Sequence, residues 1–141
     1  MPTAVSELLV RVNYSETDQM GVVYHARYVV WLDMARTEHL RLSGMTYREL
    51  EERGFFLVVG ELNMRFRQPA RYDDVVRVRC WVRDVASRRV TFGYALEEAE
   101  SGRLLVTAET RMMCLNRDFA PTRLPDDVMT LLPAVSDPVR I

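Results

Sequence analysis

A chain of 141 residues is long enough for one ordinary core and too short for two. Apolar residues make up 48% of it, which is enough to fill such a core and argues against disorder. Its 19 basic and 20 acidic side chains leave a formal net charge of −1, which sets it against proteins that hold nucleic acid through a basic excess. The two cysteines, Cys80 and Cys114, are too few for a disulfide scaffold and have no partners at metal-ligand spacing, so both read as reduced, packed thiols.

Taken in chain order, residues 1–7 show no basic patch leading into an apolar stretch, and no run of about 18 apolar residues follows anywhere, so neither a leader nor a membrane span is expected and the chain reads as cytoplasmic. Residues 8–14 are short, apolar and β-branched, the pattern of a strand. A polar loop, 15–20, leads to Gly21. Residues 26–42 hold no glycine or proline and many strong helix formers, and Gly44 stands where a helix end wants left-handed geometry. The first half of this helix, Tyr28-Val29-Val30-Trp31-Leu32, is apolar all round, which predicts a buried helix. A second, short helix is predicted over 47–53, stopped by Gly54.

The remainder reads as strand. Residues 55–67 alternate near their end, with Leu62, Met64 and Phe66 set against Asn63, Arg65 and Arg67, the period of a half-buried strand. Residues 68–74 turn, 76–83 alternate again, 86–89 turn, 90–97 return, Ser101-Gly102 closes a second hairpin, and 104–115 form the last long strand. The tail after Asn116, with prolines at 121, 125, 133 and 138, reads as mostly irregular. One strand, a long apolar helix and four antiparallel strands make an α+β domain in which the sheet curls around the helix. A sheet curled in this way leaves edges open, so pairing with a second copy is expected.

Chemistry concentrates between the first strand and the long helix. Asp18 sits seven residues before His25, which falls at the helix N-terminus. The first turn of a helix leaves amides without partners and carries partial positive charge, so it can hold an anion or a carbonyl oxygen becoming one. A thioester carbonyl under attack develops such charge and releases a good leaving group. A carboxylate close by would supply the base or nucleophile, and Gly21 would let the loop turn tightly and the backbone approach a ligand. The same aspartate would also serve as a helix cap or an Asx turn, His25 as a hydrogen-bonded loop residue and Tyr14 as a core aromatic; His39, mid-helix, reads as structural.

The stretch Tyr14-Ser15-Glu16-Thr17-Asp18-Gln19-Met20-Gly21-Val22-Val23-Tyr24-His25-Ala26-Arg27-Tyr28, followed by Ala35-Arg36-Thr37-Glu38, resembles the signature of the hotdog-fold thioesterases related to 4-hydroxybenzoyl-CoA thioesterase, and the YbgC-type acyl-CoA thioesterases in particular. Residues 61–74 resemble that family's second strand and turn, and the likeness runs over about residues 8–118. It implies one hotdog domain over 1–141, with its core at about 8–118, a tail at 119–141, and a five-stranded antiparallel sheet wrapped around a long central helix. It also implies homodimers with two interfacial sites, associating further into homotetramers. By this resemblance Asp18 is the nucleophile or general base, the amide of His25 polarises the thioester carbonyl, and Tyr14 and His25 line the site. Gly21, Val23 and Tyr24 join them in binding substrate. CoA enters as part of the substrate, and no metal or resident cofactor is needed. Arg65, Arg67, Arg71, Arg88, Arg89 and Arg117 are candidates for the CoA phosphates, although strand and hairpin arginines are more often solvated. Gln19, Met20 and Arg27 depart from the family pattern, Met20 in a position to reshape the acyl pocket and Arg27 with a charge the macrodipole disfavours unless it meets a partner or a CoA phosphate. The rival functions are a hydroxyacyl-thioester dehydratase and a non-catalytic acyl-CoA-binding protein; the absence of a Gly-x-Ser-x-Gly elbow argues against a serine hydrolase.

Overall fold

Alternation sorts the strands of the computed structural model, which describes residues 4–141. In β3 (Val75–Ala86), Val76, Val78, Cys80 and Val82 are fully buried on one face, while Arg77, Arg79, Trp81 and Arg83 take the other. Strand β3 pairs antiparallel with β1 (Val5–Arg11) and with β4 (Arg89–Glu98); β4 pairs with β5 (Leu104–Leu115), and β5 with β2 (Phe56–Phe66). The result is one five-stranded antiparallel sheet in the order β1-β3-β4-β5-β2, with β1 and β2 at its edges.

Between β1 and β2 the chain makes a 3-10 turn, Tyr14–Glu16, and two helices, α1 (Arg27–Ser43) and α2 (Tyr47–Glu52). Gly44 ends α1 at φ 114°, and the amide of Met45 reaches back to the carbonyl of Leu40, so the last turn closes on a left-handed residue. The hydroxyl of Thr46 caps α2 by accepting from the amide of Glu49 at 3.1 Å. Helix α1 packs on β1 and β3 and buries Tyr28, Trp31, Leu32, Ala35 and Leu40. It is not buried all round: Val29, Val30, Met34 and Leu42 are exposed, because the sheet of one chain covers only one side of the helix.

Strand β2 departs from expectation in the same way. It is an edge strand, and Val59 (51% exposed), Leu62 (43%) and Phe66 (53%) leave much of its apolar surface uncovered. The core, in turn, reaches past residue 118. Leu124, Val128 and Leu132 are buried in it, and a one-turn helix, α3 (Asp126–Thr130), is tied to α2's end by the paired bonds of Arg53 to Asp127 at 2.9 and 3.0 Å. Beyond α3 the chain crosses the outer face of the sheet. There Val135 donates to Val82, and Asp137 accepts from Trp81 Nε1 and Arg83 Nε at 2.9 Å each. Burial raises the Asp137 carboxyl, but these bonds from Arg83 and Trp81 together hold it below the usual carboxylate range.

Most polar groups inside the core are paired, with His39 Nε2 and Thr107 Oγ1 the exceptions among the described core residues. The buried guanidinium of Arg36 donates to the hydroxyls of Tyr47 (3.0 Å) and Tyr94 (3.3 Å) and to Asp33, and Tyr94 also bonds Thr110 at 2.7 Å. Cys80 and Cys114 are free, buried thiols that burial pushes above the ordinary range. His39 is structural, as its place in the helix suggested: its Nδ1 meets Ser6 Oγ at 2.8 Å, while Nε2 is buried without a partner among the described residues. Burial lowers the His39 pKa, opposed in part by hydrogen bonding with the Cys80 backbone. The unfolded chain therefore binds a proton below about pH 6.5 that the folded chain refuses, and stability must fall as pH drops through that window. We expect the urea midpoint to decline between pH 7 and 5, and to decline less in His39→Leu; equal declines would show that another group is responsible.

Candidate functional site

The loop between β1 and α1 is held by its own backbone. Thr17 and Val23 form an isolated antiparallel bridge, the Asp18 amide donates to Val22 at 2.9 Å, and the Gly21 amide returns to Asp18 at 2.9 Å. Gly21 makes this possible at φ +77°, a conformation costly for a residue with a Cβ. A Cβ there would meet nothing within 4 Å, so conformation and not close approach calls for glycine. The Val23 amide donates to Ala70 at 2.9 Å, which docks the loop on the turn after β2.

Asp18 is half-buried at the tip. Its Oδ1 accepts from the Met20 amide at 2.9 Å, an Asx turn, while Oδ2 takes no hydrogen bond among the described residues. The local turn thus uses one oxygen and leaves the other without a protein partner, and Asp18 lines a cavity of about 320 Å³. Asp18, Met20, Val23, His25, Tyr28 and Phe66 line it, with Val22 and the Arg67-Gln68-Pro69 segment completing the wall. Tyr28 is buried, and its hydroxyl accepts from the Ala70 amide at 3.1 Å. Burial raises its pKa, the Ala70 bond opposes this, and the nearby Asp18 charge adds to the rise, so the phenol stays protonated beside the carboxylate.

Helix α1 begins at this cavity without a side-chain cap. The Arg27 amide closes on Tyr24 at 2.8 Å, while the amides of His25 and Ala26 donate to nothing among the described residues. The cavity therefore has a half-buried carboxylate and an uncapped helix start on apolar walls, the arrangement that accommodates a carbonyl gaining negative charge. The His25 ring lies 4.7 Å from Tyr24 and 6.4 Å, edge-on, from Phe66.

The structure gathers some of the expected residues and separates others. Asp18, Val23, His25 and Arg67 come to one cavity, with Gly21 shaping the loop. Tyr14 does not: it is 75% exposed, packs edge-on against Tyr72 at 5.6 Å, and is not among the lining residues. Tyr24 packs at a tilt against His25 and is not part of the lining. Arg65 points to the opposite face of the sheet, into a small cleft with Asn63, Thr107 and Glu109. Arg88 lies in the β3–β4 turn and Arg89 opens β4. Arg89 pairs with Met113 and Phe66 with Val106, seven residues apart along β5, which is roughly 23 Å at strand rise. These three arginines cannot share the cavity within one chain. Arg27 has the partner its position required: its Nη2 lies 3.7 Å from Glu16 Oε2. Lining residues without an assigned role in the sequence are Val22, Tyr28, Phe66, Gln68 and Pro69. The available signal was Pro69, which forces the chain off the strand beside the loop.

The family follows from this fold and from the sequence itself. The sequence profile of the thioesterase-like superfamily matches residues 12–132, and the chain belongs to that superfamily. Among its relatives, the acyl-CoA thioester hydrolase YbgC of Escherichia coli is 32% identical over 130 residues, covering 92% of this chain and 96% of that protein. Two solved structures superpose closely. A hypothetical protein, TT1821, from Thermus thermophilus is 39% identical with a TM-score of 0.84, covering 90% of this chain and 94% of its own. The DHNA-CoA thioesterase of Staphylococcus aureus is 32% identical with a TM-score of 0.82, covering 86% and 82%.

Proposed function

We propose that this chain is an acyl-CoA thioesterase, hydrolysing a thioester to a carboxylic acid and free CoA thiol. One observation carries the reading: Asp18, with one carboxylate oxygen unpartnered, and His25, with its amide unbonded at the start of α1, line the same apolar-walled cavity. In this reading the acyl carbon sits between them. The amide of His25 stabilises the oxygen as charge builds on it, and Asp18 either attacks the carbon or takes a proton from water that does. The C–S bond breaks, thiolate leaves, and water supplies the hydroxyl of the acid. The reaction draws on no metal or resident cofactor, and the setting is the cytoplasm. The domain is single, with α1 as the filling of the hotdog fold.

The same reading makes the protein a homodimer, probed further as a homotetramer. Its support is the unpaired edge of β2, where Val59, Leu62 and Phe66 expose apolar surface along the strand that ends at the cavity. Antiparallel pairing of two β2 edges would set the far end of one sheet beside the other chain's cavity. Arg88 and Arg89 of the second copy would then approach CoA phosphates that Arg67 meets from the first. Release of thiol from a panel of acyl-CoAs, run with light scattering, tests both parts. We expect turnover by a particle that is a multiple of the 16.4 kDa chain. Binding of CoA esters without thiol release would favour a carrier, and full activity in a monomer would overturn the assembly.

A further inference from the structure

Glu16 is the most connected side chain around the loop, yet it does not face the cavity. It closes the 3-10 turn two residues before Asp18, and only 7% of it is exposed. Oε1 accepts from the Asn13 amide at 2.8 Å, at the loop's beginning. Oε2 accepts from the indole N–H of Trp31 at 2.9 Å, inside α1, and lies 3.7 Å from Arg27 Nη2 in the first turn of that helix. Its own carbonyl accepts from the Tyr24 amide at 2.9 Å, at the loop's exit. Trp31 in turn packs edge-on against Tyr28, at 5.2 Å, and Tyr28 holds the turn after β2 through Ala70.

A buried carboxylate is a poor choice for stability alone, since desolvation offsets much of what its bonds contribute. What it does well is fix geometry, because its bonds to charged or strongly polar donors are short and directional. The bonds of Asp18 itself all lie within its own turn, to Met20, Gly21 and Val22. Outside that turn, the Val23–Ala70 bond ties the loop to the sheet side, and Glu16 ties it to the helix side.

We propose that Glu16 is a positioning residue for the reaction: it sets the distance between the Asp18 turn and the amides at the start of α1. The inference rests on the thioesterase reading above and adds a residue to it. Glu16→Gln keeps size and one acceptor, but its amide nitrogen is a donor and meets either Asn13 N–H or Trp31 N–H with the wrong polarity. Displacement of a reacting group by about 1 Å costs up to about a hundredfold in rate, so kcat in Glu16→Gln should fall by about ten- to a hundredfold. KM should stay within about threefold, since no group that contacts the bound ester has changed.

The test compares wild type, Glu16→Gln, Asp18→Asn and the double variant for kcat and KM, with thermal melts and amide hydrogen exchange at Met20 and Gly21. Trp31→Phe, which removes the same bond from the helix side, should reproduce part of the kcat loss. Support is a kcat loss that disappears in the Asp18→Asn background, together with faster exchange at the two turn amides in a folded protein. An unchanged kcat, an equal fractional loss in both backgrounds, or unchanged exchange overturns the role of Glu16. An active Asp18→Asn enzyme instead sinks the thioesterase site as read above, and the exchange arm alone then decides whether Glu16 orders the turn.

Discussion

Replacing Asp18 by Asn should lower kcat by about 10²–10⁴-fold on whichever acyl-CoA the enzyme prefers, the range a lost acid-base group commands. The substitution is clean because of how the side chain is used. Oδ1 accepts from the Met20 amide, and the Asn carbonyl oxygen accepts the same bond, so the Asx turn persists. What is lost is the charge, and with it the oxygen that no protein donor occupies. The Asn amide neither attacks a thioester nor takes a proton from water. Folding stability should move by no more than about 0.5 kcal/mol, because the residue is half-buried and its local bond survives. Binding of a slowly turned-over CoA ester should persist, since the apolar wall of Val22, Val23, Tyr28 and Phe66 is untouched. The measurement is thiol release under single-turnover conditions. Residual activity above about a tenth of wild type would leave Asp18 as a turn residue only and return the carboxylate role to some other group.

Local chemistry was legible and tertiary chemistry was not. The end of α1 could be read because it depends on one residue: Gly44 was expected to stop the helix and does so at φ 114°. The last strand, expected over 104–115, is β5 (Leu104–Leu115), because turn residues bound it on both sides. The stretch from Tyr14 to Tyr28 placed Asp18 on a loop and His25 at a helix start, which follows from short-range spacing. The apolar girth of α1 and the apolar side of β2 misled differently. Apolarity marks surface that favours burial without saying what buries it, and the sheet of one chain leaves Val30, Met34, Leu62 and Phe66 exposed.

Parity failed at the end of β2. Arg65 and Arg67 share a face in a regular strand, but β2 stops at Phe66, and the amides of Arg67 and Gln68 both turn to the Leu105 carbonyl. That kink sends Arg67 to the cavity and leaves Arg65 behind. Glu16 was hidden for another reason: a glutamate in a polar loop reads as solvated, and only the partner fifteen residues on, Trp31, explains its burial. The tail shows the reverse. Leu124, Val128 and Leu132 recur every four residues, a helical spacing masked by the prolines around them.

The outer face of the sheet carries the largest expected effect on stability, at Gly93. Gly93 pairs in register with Trp81, and the indole lies flat over it: a Cβ on residue 93 would stand 2.6 to 2.8 Å from Cε2, Nε1 and Cζ2. The ring has no room to yield. It is fully buried, its N–H is bonded to Asp137 at 2.9 Å, and Asp137 is itself held by Arg83. Alanine is otherwise preferred over glycine inside a strand by about 0.5–1 kcal/mol, so any loss isolates the clash. Gly93→Ala should therefore destabilise by about 1–3 kcal/mol, the cost of overpacking, and lower the melting temperature by about 4–10 °C. Trp81→Leu removes all three ring atoms that a Cβ would strike. In that background Gly93→Ala should be neutral or mildly stabilising, a coupling that calorimetry of the four proteins reads directly. Equal losses in the two backgrounds would mean that glycine serves some need other than the indole. A loss that vanishes with Trp81→Leu would mean that the indole, held in place by Asp137 from the tail, is what fixes residue 93 as glycine.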